Sequence, residues 1–528
     1  MTSTCPDNKQ GKSRERARTA GLVGLGIVAG VALSFQFPAV AQKAAGSPLP
    51  LDELRQLADV YGLIKSDYVE PVADKKLLSE AIGGMVASLD PHSVYLDKKA
   101  YKEMRESMQG RFVGLGIEVS TEDGYVKIVS PIEDSPAWRA GIKPGDLITR
   151  IDGSAIKGLT LDEAIKKMRG APGSRVLLTI ARKGEDKPLS VPLVREEIQV
   201  KSVKGKIIEP GYAWLRVSQF QEQTLDELAA KATALYAQDP KIKGLVLDLR
   251  NDPGGLLPGA IGVSAAFLPK EQEIVSTKGQ LPDSNQSFYG RREFYAGRSG
   301  ADPLAKLPAG LKTVPMVVLV NTGSASASEI VAGALQDYKR AIIMGTQTFG
   351  KGSVQTLRQL TPDTAVKLTT ARYYTPKGRS IQARGIVPDL LVDETENDDG
   401  FNALREHEAD LERHLGNEAD KGSADTKAKV DLLELEKRAA ALKNRKPVDF
   451  GGKDDFQLAQ AINHFKGLPV KLAPAPAVEV VDAQKMAPTP VSTFNGQAED
   501  SGPRPADIKG KPVQPAKPAQ PPKPSTQP

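Results

Sequence analysis

A chain of 528 residues is too long for one hydrophobic core, so the sequence predicts several domains. It is 40% hydrophobic and 26% charged, which is typical of folded globular domains rather than of a disordered or fibrous protein. The formal net charge of +6 is small for this length and gives no reason to expect a nucleic-acid partner. The single cysteine, Cys5, excludes an intrachain disulfide.

The N-terminal segment, residues 1–41, has the pattern of an export signal. A basic stretch precedes the apolar residues 20–35, and Ala39-Val40-Ala41 offers a small-x-small cleavage site. A retained membrane anchor is the alternative, because residues 19–40 are just long enough to span a bilayer. Glycines within the stretch weaken a permanent span and favour cleavage. In both cases the sequence predicts an exported, periplasmic chain, which is anchored to the inner membrane if the segment is retained.

The next two segments differ in their periodicity. Residues 48–105 predict a helical N-terminal unit, which a turn at residues 88–93 interrupts, and His92 in that turn is interpreted as a structural or capping residue. Residues 110–198 predict a β-rich unit. Its strands are expected at 126–129, 147–151 and 176–180, with an amphipathic helix at 161–169 and glycines in the turns.

Residues 205–395 alternate strands and helices, which favours a layered α/β domain. A strand at 244–249 leads through a glycine-rich turn to a helix at 257–267. A buried strand at 314–320 leads through a serine-rich loop to a helix at 327–336, and further strands are expected at 341–345, 353–359 and 365–373. Residues 396–470 predict a charged helical extension, and residues 471–528 a Pro-rich disordered tail.

Two loops of the α/β unit carry candidate catalytic residues. Lys351 lies between two glycines, and the loop at 320–329 offers three serines among which spacing does not choose: Ser324, Ser326 and Ser328. A serine hydroxyl needs a base, and lysine serves only when its pKa falls from about 10.4 toward about 7–8. The sequence favours a serine-lysine pair over a Ser-His-Asp triad, because every histidine lies outside residues 110–395: His92, His407, His414 and His464.

Three further positions complete this hypothesis. Gln355, four residues after Lys351, is expected to hold the lysine amine through its amide oxygen. The Gly254-Gly255 turn at the end of a strand presents backbone N–H groups for an oxyanion hole. The N–H of Ala327, at the start of a helix, is the expected second donor, because the helix dipole favours negative charge there.

The β-rich unit resembles a PDZ domain. The resemblance rests on the glycine-rich loop Gly114-Leu115-Gly116-Ile117 and on the run Ser-Pro-Ala-Trp-Arg-Ala-Gly-Ile-Lys-Pro-Gly-Asp-Leu-Ile at residues 135–148. A PDZ domain captures the free C-terminal carboxylate of a peptide with backbone N–H groups and adds the peptide to its sheet as a strand. Residues 114–117 are therefore the expected peptide-binding loop.

The order of these motifs resembles the carboxy-terminal processing proteases, also called tail-specific proteases, which are serine peptidases of the S41 type. The resemblance covers residues 50–395 and includes Asp-Leu-Arg-Asn-x-x-Gly-Gly, Gly-Ser-Ala-Ser-Ala-Ser-Glu and Phe-Gly-Lys-Gly-x-Val-Gln. It implies that Ser326 is the nucleophile, Lys351 the base and Gln355 its support. Ser324 and Ser328 then become turn or capping residues.

The resemblance also implies a fold and partners. The expected fold is a multidomain α+β chain with a helical N-terminal unit, a PDZ domain, a crotonase/ClpP-like layered α/β protease core and a charged helical and disordered C-terminal tail. Substrates would be envelope proteins with free apolar C-termini, and an adaptor lipoprotein and a homo-oligomer are implied partners. No metal or cofactor is expected. Arg169, at the end of the PDZ helix, is either a contact across the domain boundary or a solvated charge.

Two other functions compete with the protease. A PDZ peptide-binding scaffold on a catalytically silent domain would use the same architecture, but the sequence contains nucleophile, base and Gly-Gly turn together. An acyl-CoA enzyme of the crotonase type is disfavoured by the predicted export and by the PDZ unit.

Overall fold

The computed structural model describes residues 49–122, 124–185, 187–296, 301–396, 405–418 and 448–473. The predicted export segment, about half of the charged extension and all but the first three residues of the Pro-rich tail lie outside these residues. Within the described part of the chain, no helix is long and apolar enough to cross a membrane.

The helices follow the predicted order. They are α1 Leu51–Asp67, α2 Asp74–Ala87, α3 Lys98–Gln109, α4 Pro136–Arg139, α5 Leu161–Met168, α6 Thr224–Gln238, α7 Leu257–Phe267, α8 Arg292–Tyr295, α9 Ala327–Asp337 and α10 Phe456–Phe465. The predicted helices at 161–169, 257–267 and 327–336 are confirmed to within a residue or two. Residues 405–418 do not form a regular helix. They contain the short 3-10 turn Glu408–Asp410, and two of their side chains, Glu408 and Asn417, form hydrogen bonds with Gln382 of the α/β unit.

The strands fall into four sheets. They are β1 Val94–Leu96, β2 Arg111–Gly114, β3 Ile117–Glu122, β4 Tyr125–Pro131, β5 Leu147–Ile151, β6 Ser154–Ala155, β7 Arg175–Ala181, β8 Leu189–Val194, β9 Glu196–Gln199, β10 Val203–Glu209, β11 Tyr212–Val217, β12 Gly244–Asp248, β13 Glu273–Gly279, β14 Gln286–Tyr289, β15 Met316–Val320, β16 Ile342–Gly345, β17 Ser353–Thr361, β18 Thr364–Tyr374 and β19 Leu390–Leu391.

The PDZ domain is a sheet in the order β3-β4-β5-β7-β8 with α5 packed beside it. Alternating apolar residues such as Ile148 and Ile180 fill its core, while Thr160 and Glu163 form a capping box at the start of α5. The two-stranded ribbon β2-β9 joins this domain to the rest of the chain.

A six-stranded sheet in the order β10-β11-β12-β15-β16-β19 forms the α/β core. Its strands from β11 onward are parallel, and β12 and β15 are buried along their whole length because both faces of the sheet are covered. Helices α6, α7 and α9 cover one face. Helix α10 covers the other, where Leu458 and Ile462 pack near Trp214 and Val317.

One strand of the N-terminal unit joins a sheet of the α/β unit. The short strand β1 pairs antiparallel with β18, in a second sheet that also contains β13, β14 and β17. Helix α1, by contrast, buries none of its residues. The turn at residues 88–93 therefore stands beside the sheet that carries the lysine loop.

Candidate active site

Parallel pairing of β12 with β15 brings the glycine turn and the serine loop together, because the carboxyl ends of parallel strands meet at one edge of a sheet. Ser324 Oγ donates to the Leu249 carbonyl at 2.8 Å, and Ser328 Oγ donates to the Asp252 carbonyl at 2.7 Å. Both serines are buried, whereas Ser326 between them is partly exposed. The two flanking hydroxyls therefore brace the loops, and Ser326 is the serine that a substrate can reach.

Ser326 has an unusual backbone conformation. Its φ is +55° and its ψ is −109°, a combination that non-glycine residues rarely adopt. The N–H of Ser326 donates to Glu329 Oε2 at 2.7 Å, which supports this conformation from within the first turn of α9. Strain held in this way is typical of functional positions.

Glu329 connects the serine loop with the lysine loop. Its Oε2 accepts hydrogen bonds from the N–H of Ser326 at 2.7 Å and of Lys351 at 2.9 Å. Its Oε1 accepts from the N–H of Gly350 at 2.7 Å and from Thr348 Oγ1 at 2.5 Å. Burial raises the pKa of Glu329 to about 7, although these four donors act in the opposite direction. One carboxylate thus holds the two loops side by side.

Lys351 has the electrostatics of a base. Burial lowers its pKa to about 8, and the positive charge of Lys367 adds to this shift. The carboxylates of Glu408, Glu329 and Asp90 oppose it. A lysine with this pKa is neutral in a useful fraction near neutral pH and can accept a proton from a serine hydroxyl.

Gln355 lies on β17, and its amide has a defined orientation. Its Nε2 donates to Ser353 Oγ at 2.9 Å and to Thr369 Oγ1 at 3.3 Å. With the nitrogen of the amide turned toward these two hydroxyls, the amide oxygen is the atom left for an amine.

The glycine turn lies directly against the serine loop. A Cβ on Gly254 would be 2.9 Å from Ser326 Cβ and 2.8 Å from the nitrogen of Ala327, so only glycine fits. The N–H of Gly254, however, donates to Asp252 Oδ1 at 2.9 Å. The prediction that Gly254 is an oxyanion donor is therefore corrected, because its N–H already forms a hydrogen bond within its own turn. Gly255 and Ala327 remain the candidate donors.

Several residues of this site were missed in the sequence. Asp90 and Glu408 come from outside the predicted core, and their negative charges raise the pKa of Lys351. Glu408 also accepts a hydrogen bond from Gln382 at 2.8 Å. Glu329 had a local signal, because an acid three residues after a helix N-cap is a capping pattern. Asp90 and Glu408 had no such signal.

Two of the histidines lie near the lysine loop although they are distant from it in sequence, so sequence distance alone does not exclude them from the site. His92 Nε2 lies 2.7 Å from Glu408 Oε2, and His407 Nδ1 lies 3.3 Å from the carbonyl of Thr348. Both imidazoles are therefore close to the lysine loop. Among the described hydrogen bonds neither contacts Ser326, so these contacts support the structural interpretation of His92.

The PDZ unit contains a groove at the predicted peptide-binding loop. A cavity of about 170 Å³ lies between β3 and α5, and Leu115, Ile117, Ile165 and Met168 are among its lining residues. β3 is an edge strand, so its outer side is available for a peptide strand. Gly116 has φ +74°, and a Cβ there would lie 2.1 Å from Ser135 Cβ.

Arg169 contacts the helix that precedes the PDZ domain. Its guanidinium lies 3.8 Å from Glu103 Oε1 and 3.7 Å from Glu106 Oε2 on α3. These are long, partly exposed ion pairs, which contribute little to stability. A functional role for this contact across the domain boundary stays a prediction.

Three family models match this chain. Peptidase family S41 matches residues 211–392, the PDZ domain matches residues 127–182, and the N-terminal domain of the activating protease CtpB matches residues 33–100. Together they span the helical unit, the PDZ domain and the protease core.

Similar proteins of known name cover most of the chain. A carboxy-terminal-processing protease of Bartonella bacilliformis is 44% identical over 448 residues, which is 83% of this chain and 95% of that protein. A probable CtpA-like serine protease of Staphylococcus aureus is 37% identical over 70% of this chain and 71% of its own length. Among solved structures, a photosystem II D1 C-terminal processing protease is 28% identical, with a TM-score of 0.37 over 68% of this chain and 92% of that one. The chain therefore belongs to the carboxy-terminal-processing proteases of peptidase family S41.

Proposed function

We propose that this peptidase is a serine endopeptidase in which Ser326 attacks the scissile carbonyl and Lys351 is its base. The observation that carries the proposal is the shared oxygen of Glu329, which accepts the N–H of both residues at 2.7 and 2.9 Å. The lowered pKa of Lys351, about 8, supports the role of base.

The proposed reaction uses each group at a defined step. The neutral amine of Lys351 takes the proton of the Ser326 hydroxyl as Oγ bonds to the carbonyl carbon. The N–H groups of Gly255 and Ala327 stabilise the oxyanion, and Gln355 holds the amine. Protonated Lys351 then gives its proton to the leaving amine, and water releases the acyl group with Lys351 again as base.

Substrate selection is assigned to the PDZ groove. Backbone N–H groups of residues 114–117 would bind a terminal carboxylate, and the apolar lining favours an apolar last residue. By family resemblance the substrates are envelope proteins.

Cleavage by variants tests this proposal. The soluble chain from Gln42, Ser326→Ala and Lys351→Ala are each given one unfolded substrate, with either a free apolar C-terminus or an amidated one. We expect cleavage only by the parent and slower cleavage of the amidated substrate. Binding without cleavage, before and after addition of envelope extract, would favour the silent scaffold.

Export and assembly complete the proposal. Residues 1–41 would direct the chain to the periplasm, and cell fractionation with N-terminal sequencing distinguishes cleavage from anchoring.

Helix α1 exposes a row of large apolar residues, which supports a homo-oligomer: Leu51, Leu54, Leu57, Val60 and Leu63. Light scattering of Leu57→Glu beside the parent tests this role. An adaptor lipoprotein rests on the family resemblance, and envelope extract that accelerates cleavage would support it.

A further inference from the structure

We propose that Asp90, in the turn that ends the N-terminal helical unit, is a positioning residue for the base. Through the hydroxyl of Thr369 it orients the amide of Gln355, so that the amide oxygen and not the nitrogen is left for the Lys351 amine. The inference rests on the proposed function, because Gln355 matters in this way only if Lys351 is the base. It makes the N-terminal unit a part of the active site.

Strand pairing brings the turn to the site. β1 begins directly after the turn and pairs with β18, with Val94 opposite Lys367. β18 also pairs with β17, where Thr369 is opposite Gln355. Thr369 therefore lies between the turn and Gln355, and a contact across 279 residues of sequence becomes a local one in space.

The carboxylate of Asp90 is a buried acceptor with several donors. Its Oδ1 accepts from Thr369 Oγ1 at 3.0 Å and from the N–H groups of His92 and Ser93 at 2.9 Å each, while its Oδ2 accepts from Ser93 Oγ at 2.7 Å. Asp90 is 5% exposed. Burial raises its pKa, but the hydrogen bonds from Ser93, His92 and Thr369 outweigh burial and hold the pKa below its usual value. The group is therefore an ionised carboxylate, which accepts hydrogen bonds and cannot donate them.

The direction of the Thr369 hydroxyl follows from this charge. A threonine hydroxyl has one proton, and Asp90 takes it at 3.0 Å. Toward Gln355, 3.3 Å away, the Thr369 oxygen can then act only as an acceptor, so the amide must present its nitrogen. Without the Asp90 carboxylate, the Thr369 hydroxyl would be free to donate its proton to the amide oxygen of Gln355. The amide of Gln355 could then reverse.

The experiment compares Asp90→Ala, Thr369→Val and Thr369→Ser in the otherwise intact protein, each alone and with Gln355→Ala. Alanine is used at position 90 because asparagine would keep an Oδ1 that still accepts from the Thr369 hydroxyl. We expect Asp90→Ala and Thr369→Val to lower kcat about tenfold with KM unchanged, because one hydrogen bond to the base is lost. Thr369→Ser keeps the hydroxyl and should restore most of kcat. In the Gln355→Ala background, Asp90→Ala should cost nothing further, because both changes interrupt one relay.

Thr364→Val is the matched control, since Thr364 lies on the same strand and its hydroxyl pairs with Thr361 at 2.8 Å, outside the relay. It should leave kcat unchanged. Parent kcat in Asp90→Ala, or an equal loss with and without Gln355, overturns the inference. If Asp90→Ala lowers the melting temperature strongly, the two Thr369 variants decide instead. Cleavage that survives Ser326→Ala would overturn the proposed function itself, whereas dyad-dependent cleavage that ignores Asp90 overturns only this inference.

Discussion

At the scale of single residues, Glu329 is the connection on which the proposed dyad depends. Its carboxylate accepts four hydrogen bonds, from both the serine loop and the lysine loop, in a fully buried position. A buried donor left without an acceptor costs about 1–3 kcal/mol. Substitutions of Glu329 should therefore disturb the serine loop and the lysine loop together.

Glu329→Gln keeps the shape of the side chain but turns an N–H₂ group toward one pair of donors. We expect kcat to fall about ten- to a hundredfold, because the N–H groups on that side lose their acceptor and the loops separate. Steady-state cleavage measures this loss. Glu163→Gln is the control, since glutamine also satisfies the capping box of α5. Equal activity of the parent and Glu329→Gln would contradict the prediction.

If Lys351 is the base, as proposed, the pH profile of cleavage follows the protonation of its amine. Only the neutral amine is a base, so kcat/KM should rise with pH and level off above about 8. Burial is the first cause of the lowered pKa and the charge of Lys367 the second. Lys367→Met removes that charge, so the pKa of Lys351 should rise and the profile should move to higher pH. Lys367→Arg keeps the charge and should leave the profile in place, and a shift of equal size in both variants would exclude the electrostatic explanation.

At the scale of elements, helix α10 and the residues before it support the strand that leads to the glycine turn. Arg250 is buried and donates to Asp248 on one side and to Asp455 on the other, at 2.6 Å in both cases. Its guanidinium also lies 4.4 Å from the ring of Phe450, and so does that of Arg216. A C-terminal segment that its composition described as an extension is thus part of the protease core.

Asp455→Ala should destabilise the protein by about 3–5 kcal/mol, because Arg250 would keep a buried charge without one of its partners. Urea denaturation followed by tryptophan fluorescence reports the loss, since Trp214 donates to Asp248 in the same network at 3.0 Å. Asp454→Ala, at the exposed neighbouring position, should change stability by less than about 0.5 kcal/mol. Indistinguishable midpoints for the two variants would show that the network carries little stability.

At the scale of the whole molecule, the proposed function divides binding of the substrate end and cleavage between two domains. The groove lies in the PDZ domain and the proposed dyad in the core, with the β2-β9 ribbon between them. Damage to the groove should therefore change which substrates are cleaved without changing the chemical step.

Gly116→Ala should remove the preference for free C-termini. The new Cβ would lie 2.1 Å from Ser135 Cβ at a φ of +74°, so the peptide-binding loop must move. Gly153→Ala imposes a similar φ of +76° but meets no atom within 4 Å, and it should keep the preference. The ratio of kcat/KM for free and amidated substrates measures the effect. An unchanged ratio in Gly116→Ala would remove the loop from substrate selection.

The elements and the motifs of the core could be predicted from the amino-acid sequence. Continuous apolar runs located β12 and β15, which are buried on both faces, and the glycine turn and the serine loop that follow them marked the starts of α7 and α9. Glycines at positions of close approach marked the turn at Gly254, and the order of motifs indicated the PDZ domain and the protease family.

The polar groups that meet these motifs come from distant parts of the chain, and their positions follow from the folded structure. Asp90 and Thr369 are 279 residues apart, and Arg250 and Asp455 are 205 residues apart. Periodicity reports that a face is buried but not what it is buried against, and a polar partner is chosen by proximity in space. For the same reason, sequence distance did not show that His92 lies near the lysine loop, beside Glu408. It also did not show that Asp252 accepts the N–H of Gly254, which was expected to be free.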